Sequence, residues 1–224
     1  MEPITHNSES HLKAGTQKSG WLWLFALCAV VALIVISWSF ERGRLQYQMD
    51  YEDIITHIDG LKRWHDLSEG GVGQLLANYS KSPAHCPLHS FMAAAGFMFF
   101  GVHDWAPYVL NVFVLFAFLA LVRRETRTLG FYPSLLAVLG ALFVPLSFQS
   151  IHQFRPDFPC ALATLWGMVV FPRWHQVNYG KMAAVSGALF GLALLAKPPF
   201  FPYTLAMGAL PLFFSLVEGI KEKK

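Results

Sequence analysis

The sequence predicts an all-α integral membrane protein with about six transmembrane helices and a long outer loop carrying amphipathic interfacial helices. Three observations predict it. Of the 224 residues 54% are hydrophobic and only 14% charged, with mean hydropathy +0.41, whereas soluble domains carry roughly a quarter charged residues. Apolar runs recur along most of the chain, and basic residues gather in alternate short loops between them.

Residues 1–20 are polar, with Lys13 and Lys18, and read as a disordered cytoplasmic tail. "WLWLFALCAVVALIVISWSF" (21–40) is free of charge, and about 20 such residues cross a hydrocarbon core. It is longer than a cleaved signal and lacks a small-residue cleavage site, so it reads as a retained anchor. In the polar segment 41–87, Ile54, Ile55, Ile58, Leu61 and Trp64 recur at helical spacing and predict a helix lying at the interface. "EGGVG" lacks the Gly-Lys-Ser/Thr of a phosphate loop and reads as a helix stop. "LHSFMAAAGFMFF" (88–100) is too short to span and reads as interfacial or re-entrant. Further spans follow over 105–122, 132–148, 158–172, 182–196 and 200–217, and the outer loop as a whole runs over 41–104. The transmembrane domain is therefore 21–217, with 218–224 a second cytoplasmic tail.

Orientation follows from the basic loops. With the N-terminus in the cytoplasm, "RRETR" (123–127), "RWHQVNYGK" (173–181) and "KEKK" (221–224) all fall inside, as the positive-inside rule requires. Both termini are then cytoplasmic. The 41–104 loop, the turn "FRPD" (154–157) and Lys197 all face outward.

The formal charge of +3 is too small to suggest nucleic-acid binding, and no Lys/Arg run supports it. Cys28, Cys86 and Cys160 form neither a disulfide framework nor a CxxC zinc motif. His85, Cys86 and His89 have the residue types of metal ligands, but Pro87 interrupts the helical spacing and no further ligand is placed beside them. His57, His65 and His103 read as interfacial, and Asn78-Tyr79-Ser80 fits a glycosylation acceptor. The outward face collects Asp50, Glu52 and Asp53 after the first span, Arg155 and Asp157 between the third and fourth, and Lys197 after the fifth. Ionisable residues at spanning segments are uncommon and mark functional sites. Cations there suit an anionic leaving group, and a carboxylate suits deprotonation of an attacking hydroxyl. Each residue also has a plain structural reading. Asp157 can cap its helix, Arg155 and Lys197 can snorkel to headgroups, and the acidic cluster can be a solvated loop.

The motifs "DYED", "CPLHSFMAAAGFMFFG", "FRPD" and "GALFGLALLAKPP", in this order over about residues 21–205, resemble the GT-C-fold polyprenyl-phosphate-sugar glycosyltransferases. The likeness is to the branch of protein O-mannosyltransferases and lipid A aminoarabinose transferases. The resemblance implies inverting sugar transfer from a polyprenyl-phosphate donor to a lipid, glycan or protein hydroxyl. It implies Asp50 as general base, with Asp53 the alternative because "DYED" leaves the register open. Asp157 becomes a positioning carboxylate with Arg155 beside it, and Lys197 and His85 become contacts to the lipid phosphate. A divalent metal serves some relatives and not others. The implied setting is a bacterial plasma membrane, with the active face periplasmic and lipids around the helices. Relatives are commonly longer, so the chain reads as an N-terminal portion, or a module needing a partner subunit. The rival readings are a non-catalytic membrane subunit and a transporter or flippase of lipid-linked substrates.

Overall fold

Every regular element in the computed structural model is a helix among the residues it describes, which are 8–42, 51–171 and 178–222. The first, α1 (Ser8–Glu41), begins inside the segment read as a tail, and its apolar stretch Gly20–Glu41 is long enough to cross a membrane. α2 (Tyr51–Lys81) is the predicted amphipathic helix, and it does break within "EGGVG". Gly71 has φ 65° and ψ −163° there, in the left-handed region where a side chain would be strained.

Beyond Gly71 the helix resumes and doubles back. Asn78 Nδ2 donates to Asp66 Oδ1 at 2.7 Å, twelve residues away, and Arg63 Nη2 donates to the Ser82 carbonyl. A straight helix would separate the first pair by about 18 Å. Arg63 is 2% exposed, ion-paired with Asp66 at 3.5 Å and lies over the Tyr79 ring, so it latches the two arms together. Asn78, the residue of the glycosylation motif, is part of this latch.

α3 (Pro87–Phe100) starts on a proline, which suits the first turn because its missing N–H would be unpaired anyway. It packs against α2 through small residues: a Cβ at Gly60 would lie 2.3 Å from the Ala93 Cβ. α4 (Ala106–Val109) and α5 (Asn111–Thr126) follow almost without a break, and together with the 3-10 turn Arg127–Leu129 they form a second helix of spanning length. α5 is central, with Leu115 and Leu119 fully buried and α1, α6, α7 and α8 around it. The third predicted span, 132–148, is instead two helices, α6 (Phe131–Leu142) and α7 (Pro145–His152). Pro145 excludes helical geometry at the residue before it, and Val144 is extended at φ −67°, ψ 135°.

α8 (Asp157–Val170) and α9 (Tyr179–Ala196) lie close together across Gly167, Ser186 and Ala193; the Ser186 hydroxyl donates to the Gly167 carbonyl at 2.7 Å. Lys197-Pro198-Pro199 ends α9, and α10 (Phe201–Glu222) follows. Four stretches are thus long and apolar enough to cross a membrane: Gly20–Glu41, Ala106–Leu129, Tyr179–Ala196 and Pro198–Val217. α3, α6 and α8 are apolar but shorter.

The bundle has two distinct ends. At one, Arg123 donates to the Gly20 carbonyl and lies over Trp21, while Arg124 donates to the Val169 carbonyl at 3.2 Å. These arginines from "RRETR" tie the start of the apolar stretch of α1 and the end of α8 to the end of α5. The other end gathers the start of α5, the start of α8, the end of α9, and α3. Residues 173–177 of the second basic loop lie outside the described residues.

Candidate active site at the α8–α9 end

Two prolines prepare this end of the bundle. Lys197 precedes Pro198, so it leaves helical geometry at φ −144°, ψ 85°. Its backbone is still held, with its N–H donating to Ala193 at 3.1 Å and its carbonyl accepting from Phe200 at 3.0 Å. On the neighbouring helix, Arg155-Pro156 starts α8 in the same way, leaving Asp157 as the first helical residue. The side chains then meet: Lys197 Nζ lies 2.5 Å from Asp157 Oδ1, a charge-assisted hydrogen bond between residues forty apart in sequence. The lysine side chain is 12% exposed and the aspartate 44%. Lys197 Nζ also lies 4.8 Å from the Phe200 ring centroid.

The helix-cap reading of Asp157 does not hold. Pro156 occupies the cap position of α8, and no side chain caps it. The carboxylate is turned to a cation on another helix instead.

Beside this pair is a cavity of about 180 Å³ between α5, α7 and the start of α8. Arg155, Asp157, Gln149 and Gln153 line it. Asn111, 2% exposed at the start of α5, donates to the Ile151 carbonyl at 3.0 Å and to Gln153's at 3.2 Å. These carbonyls lie at the end of α7, where the helix itself supplies no donors. One amide therefore fixes the turn that carries Arg155.

Phe154, fully buried, is the hub where the outer elements converge. The rings of His89 (α3), His57 (α2) and Tyr108 (α4) lie 4.4, 5.4 and 5.9 Å from it. His57 therefore packs within an aromatic cluster, where the sequence suggested an interfacial residue. His89 is fully buried with neither ring nitrogen hydrogen-bonded. Burial pushes its pKa down to about 3, with Asp157 pulling the other way, so the ring is neutral. No spacing in the sequence singled out this cluster, because its members come from four separate segments.

The expected site residues are distributed as follows. Arg155, Asp157 and Lys197 come together. Asp53 lies in the first turn of α2, one helical turn before His57, and its side chain is outside the described ones. Asp50 lies outside the described residues. His85 is exposed in the turn before α3, where its backbone N–H donates to Asp59 at 3.3 Å. Among the described residues no three His, Cys, Asp or Glu side chains are grouped to hold a metal ion.

Residues 84–223, from the turn before α3 to the end of α10, match the family described as dolichyl-phosphate-mannose-protein mannosyltransferase. His85, Arg155, Asp157 and Lys197 lie inside the matched range, and "DYED" lies before it. No curated protein and no solved structure matches the chain. The match covers well over half of a multi-pass helical membrane chain, which belongs to the dolichyl-phosphate-mannose-protein mannosyltransferases, a family of GT-C polyprenyl-phosphate-sugar glycosyltransferases.

Proposed function

We propose that this chain catalyses transfer of a sugar from a polyprenyl-phosphate donor to an acceptor hydroxyl at the outer membrane face, with inversion at the anomeric carbon. The acceptor is a lipid, glycan or protein. Its oxygen attacks the anomeric carbon on the side opposite the phosphate. The carbon–oxygen bond to the phosphate breaks, and the bonding pair leaves with the lipid phosphate. Asp50 takes the acceptor proton, with Asp53 the alternative base. Lys197 and Arg155 stabilise the phosphate as its charge develops, and His85 adds a further contact. Asp157 positions Lys197.

The observation that carries this reading is the Asp157–Lys197 pair at 2.5 Å, next to a cavity that Arg155 and Asp157 both line. An ion pair at the rim of a polar cavity supplies a cation that needs little reorganisation when a phosphate arrives. The test is transfer from a polyprenyl-phosphate sugar in membranes containing the Asp50→Asn or the Asp157→Asn variant. Loss of the base lowers the rate by about 10²- to 10⁴-fold. Loss of Asp157 lowers it less, because the phosphate cations remain. Wild-type rates in both variants would refute the assignment.

A further inference from the structure

His89 is a buried polar group that the transfer chemistry above does not use. It lies in the first turn of α3, is fully buried, and neither ring nitrogen has a hydrogen-bond partner among the described residues. A neutral imidazole carries one N–H donor and one acceptor nitrogen, and buried groups of this kind are nearly always paired. The ring packs against Phe154, with centroids 4.4 Å apart. An apolar side chain would fill that space without burying two unmatched polar atoms. The histidine therefore calls for a reason in its chemistry.

Its surroundings supply one. Leu88, the preceding residue, packs against Cys160 of α8 and Ala193 and Ala196 of α9. The start of α3 thus lies against the two helices that lead to Asp157 and Lys197. Asp157 and Cys160 are three residues apart on α8 and share a face. The titratable groups whose fields reach His89 are Asp157 on α8 and His57 on α2. Asp157 is bonded through Oδ1 to Lys197 and lines the cavity, whereas His89 does not line it. A phosphate that takes Lys197 leaves the Asp157 carboxylate as a like charge at its side, which opposes binding. A carboxylate that turns instead to an N–H off the cavity carries its charge away from the phosphate and stays paired.

We propose that Asp157 exchanges partners: it holds Lys197 until a lipid phosphate draws the lysine away, and then accepts a hydrogen bond from His89. This rests on the assignment of Lys197 to the phosphate, and it makes His89 a positioning residue that acts through Asp157. The test measures binding of sugar-free dolichyl phosphate to the full chain in nanodiscs, together with the melting temperature. His89→Phe keeps a ring against Phe154 and removes both nitrogens. It weakens dolichyl phosphate binding by about tenfold, the value of one hydrogen bond to a charged group. Its melting temperature at pH 7 holds or rises, because two unmatched polar atoms are gone. His89→Asn and His89→Gln each place an amide donor near one of the two nitrogen positions, and one of them restores the affinity. In an Asp157→Asn background, His89→Phe causes no further loss. Wild-type affinity in His89→Phe, rescue by neither amide, or a tenfold loss in the Asp157→Asn background would each overturn the exchange. So would a fall in melting temperature in both His89→Phe and His89→Leu, since the nitrogens would then serve the resting fold. All of these leave the transferase reading standing. Failure of wild type to bind dolichyl phosphate would overturn both.

Discussion

Lys197 and Asp157 form a pair that is structural and chemical at once, and the two roles separate experimentally. Breaking it with Asp157→Asn or Lys197→Met leaves a poorly solvated charge or an unused carboxylate. Because Asp157 is 44% exposed, the expected cost is about 1–2 kcal/mol, below that of a fully buried pair. The exchange Asp157→Lys with Lys197→Asp restores the attraction. We predict that it recovers the melting temperature in detergent but not sugar transfer, because the cation then stands on the wrong helix. Recovery of both would show that only the pair matters, not its direction. His89 gives a second residue-scale prediction. Its pKa is near 3 in the folded chain and about 6.5 when unfolded. Between those values the unfolded chain binds the extra proton. Its effect on stability is therefore absent above about pH 6.5 and grows destabilising as pH falls towards 3. His89→Leu should flatten the decline in melting temperature between about pH 7 and 4. Parallel curves for wild type and variant would count against a buried neutral ring.

Among the helices, close approach depends on particular small residues. A methyl group at Gly60 would meet the Ala93 Cβ at 2.3 Å, and one at Gly96 would meet the Ala106 carbonyl oxygen at 2.8 Å. Both contacts seat α3 against α2 and α4, and hence set the Phe154 hub beside the site. Gly187 on α9 has nothing within 4 Å of such a methyl. Gly60→Ala and Gly96→Ala should each cost about 1–3 kcal/mol through overpacking. Gly187→Ala should be neutral or stabilising by up to about 1 kcal/mol, since alanine is the better helix former. Thermal unfolding of the three variants tests the ranking, and equal losses would contradict it.

For the whole molecule, the arginine-tied end and the site end lie at opposite ends of the same helices, so one test of orientation bears on the entire site. The three native cysteines are buried, which leaves introduced ones as the accessible labels. With the site outside, Ser80→Cys reacts with a membrane-impermeant maleimide on intact cells. Glu125→Cys, next to Arg124, reacts only after permeabilisation. The opposite pattern would invert the molecule and place the Lys197–Asp157 pair in the cytoplasm.

Local patterns determined the helical class, an apolar first helix of spanning length, the amphipathic α2, the short α3 and the C-terminal end of α9, because apolar run length and proline position act within a few residues. They also placed Arg155, Asp157 and Lys197 at span ends and named the family. Run length alone could not show that 132–148 divides at Pro145, since both halves are apolar. It could not show that α2 folds back, because the Arg63 latch joins residues nineteen apart. The partner of Asp157, the hub at Phe154 and the amide-lined cavity were decided by tertiary structure alone. Each joins segments far apart in sequence, whose approach is set by the packing of α5, α8 and α9 and by small residues such as Gly60 and Gly96. A residue's type announces what chemistry it can do, but only packing decides which group it meets.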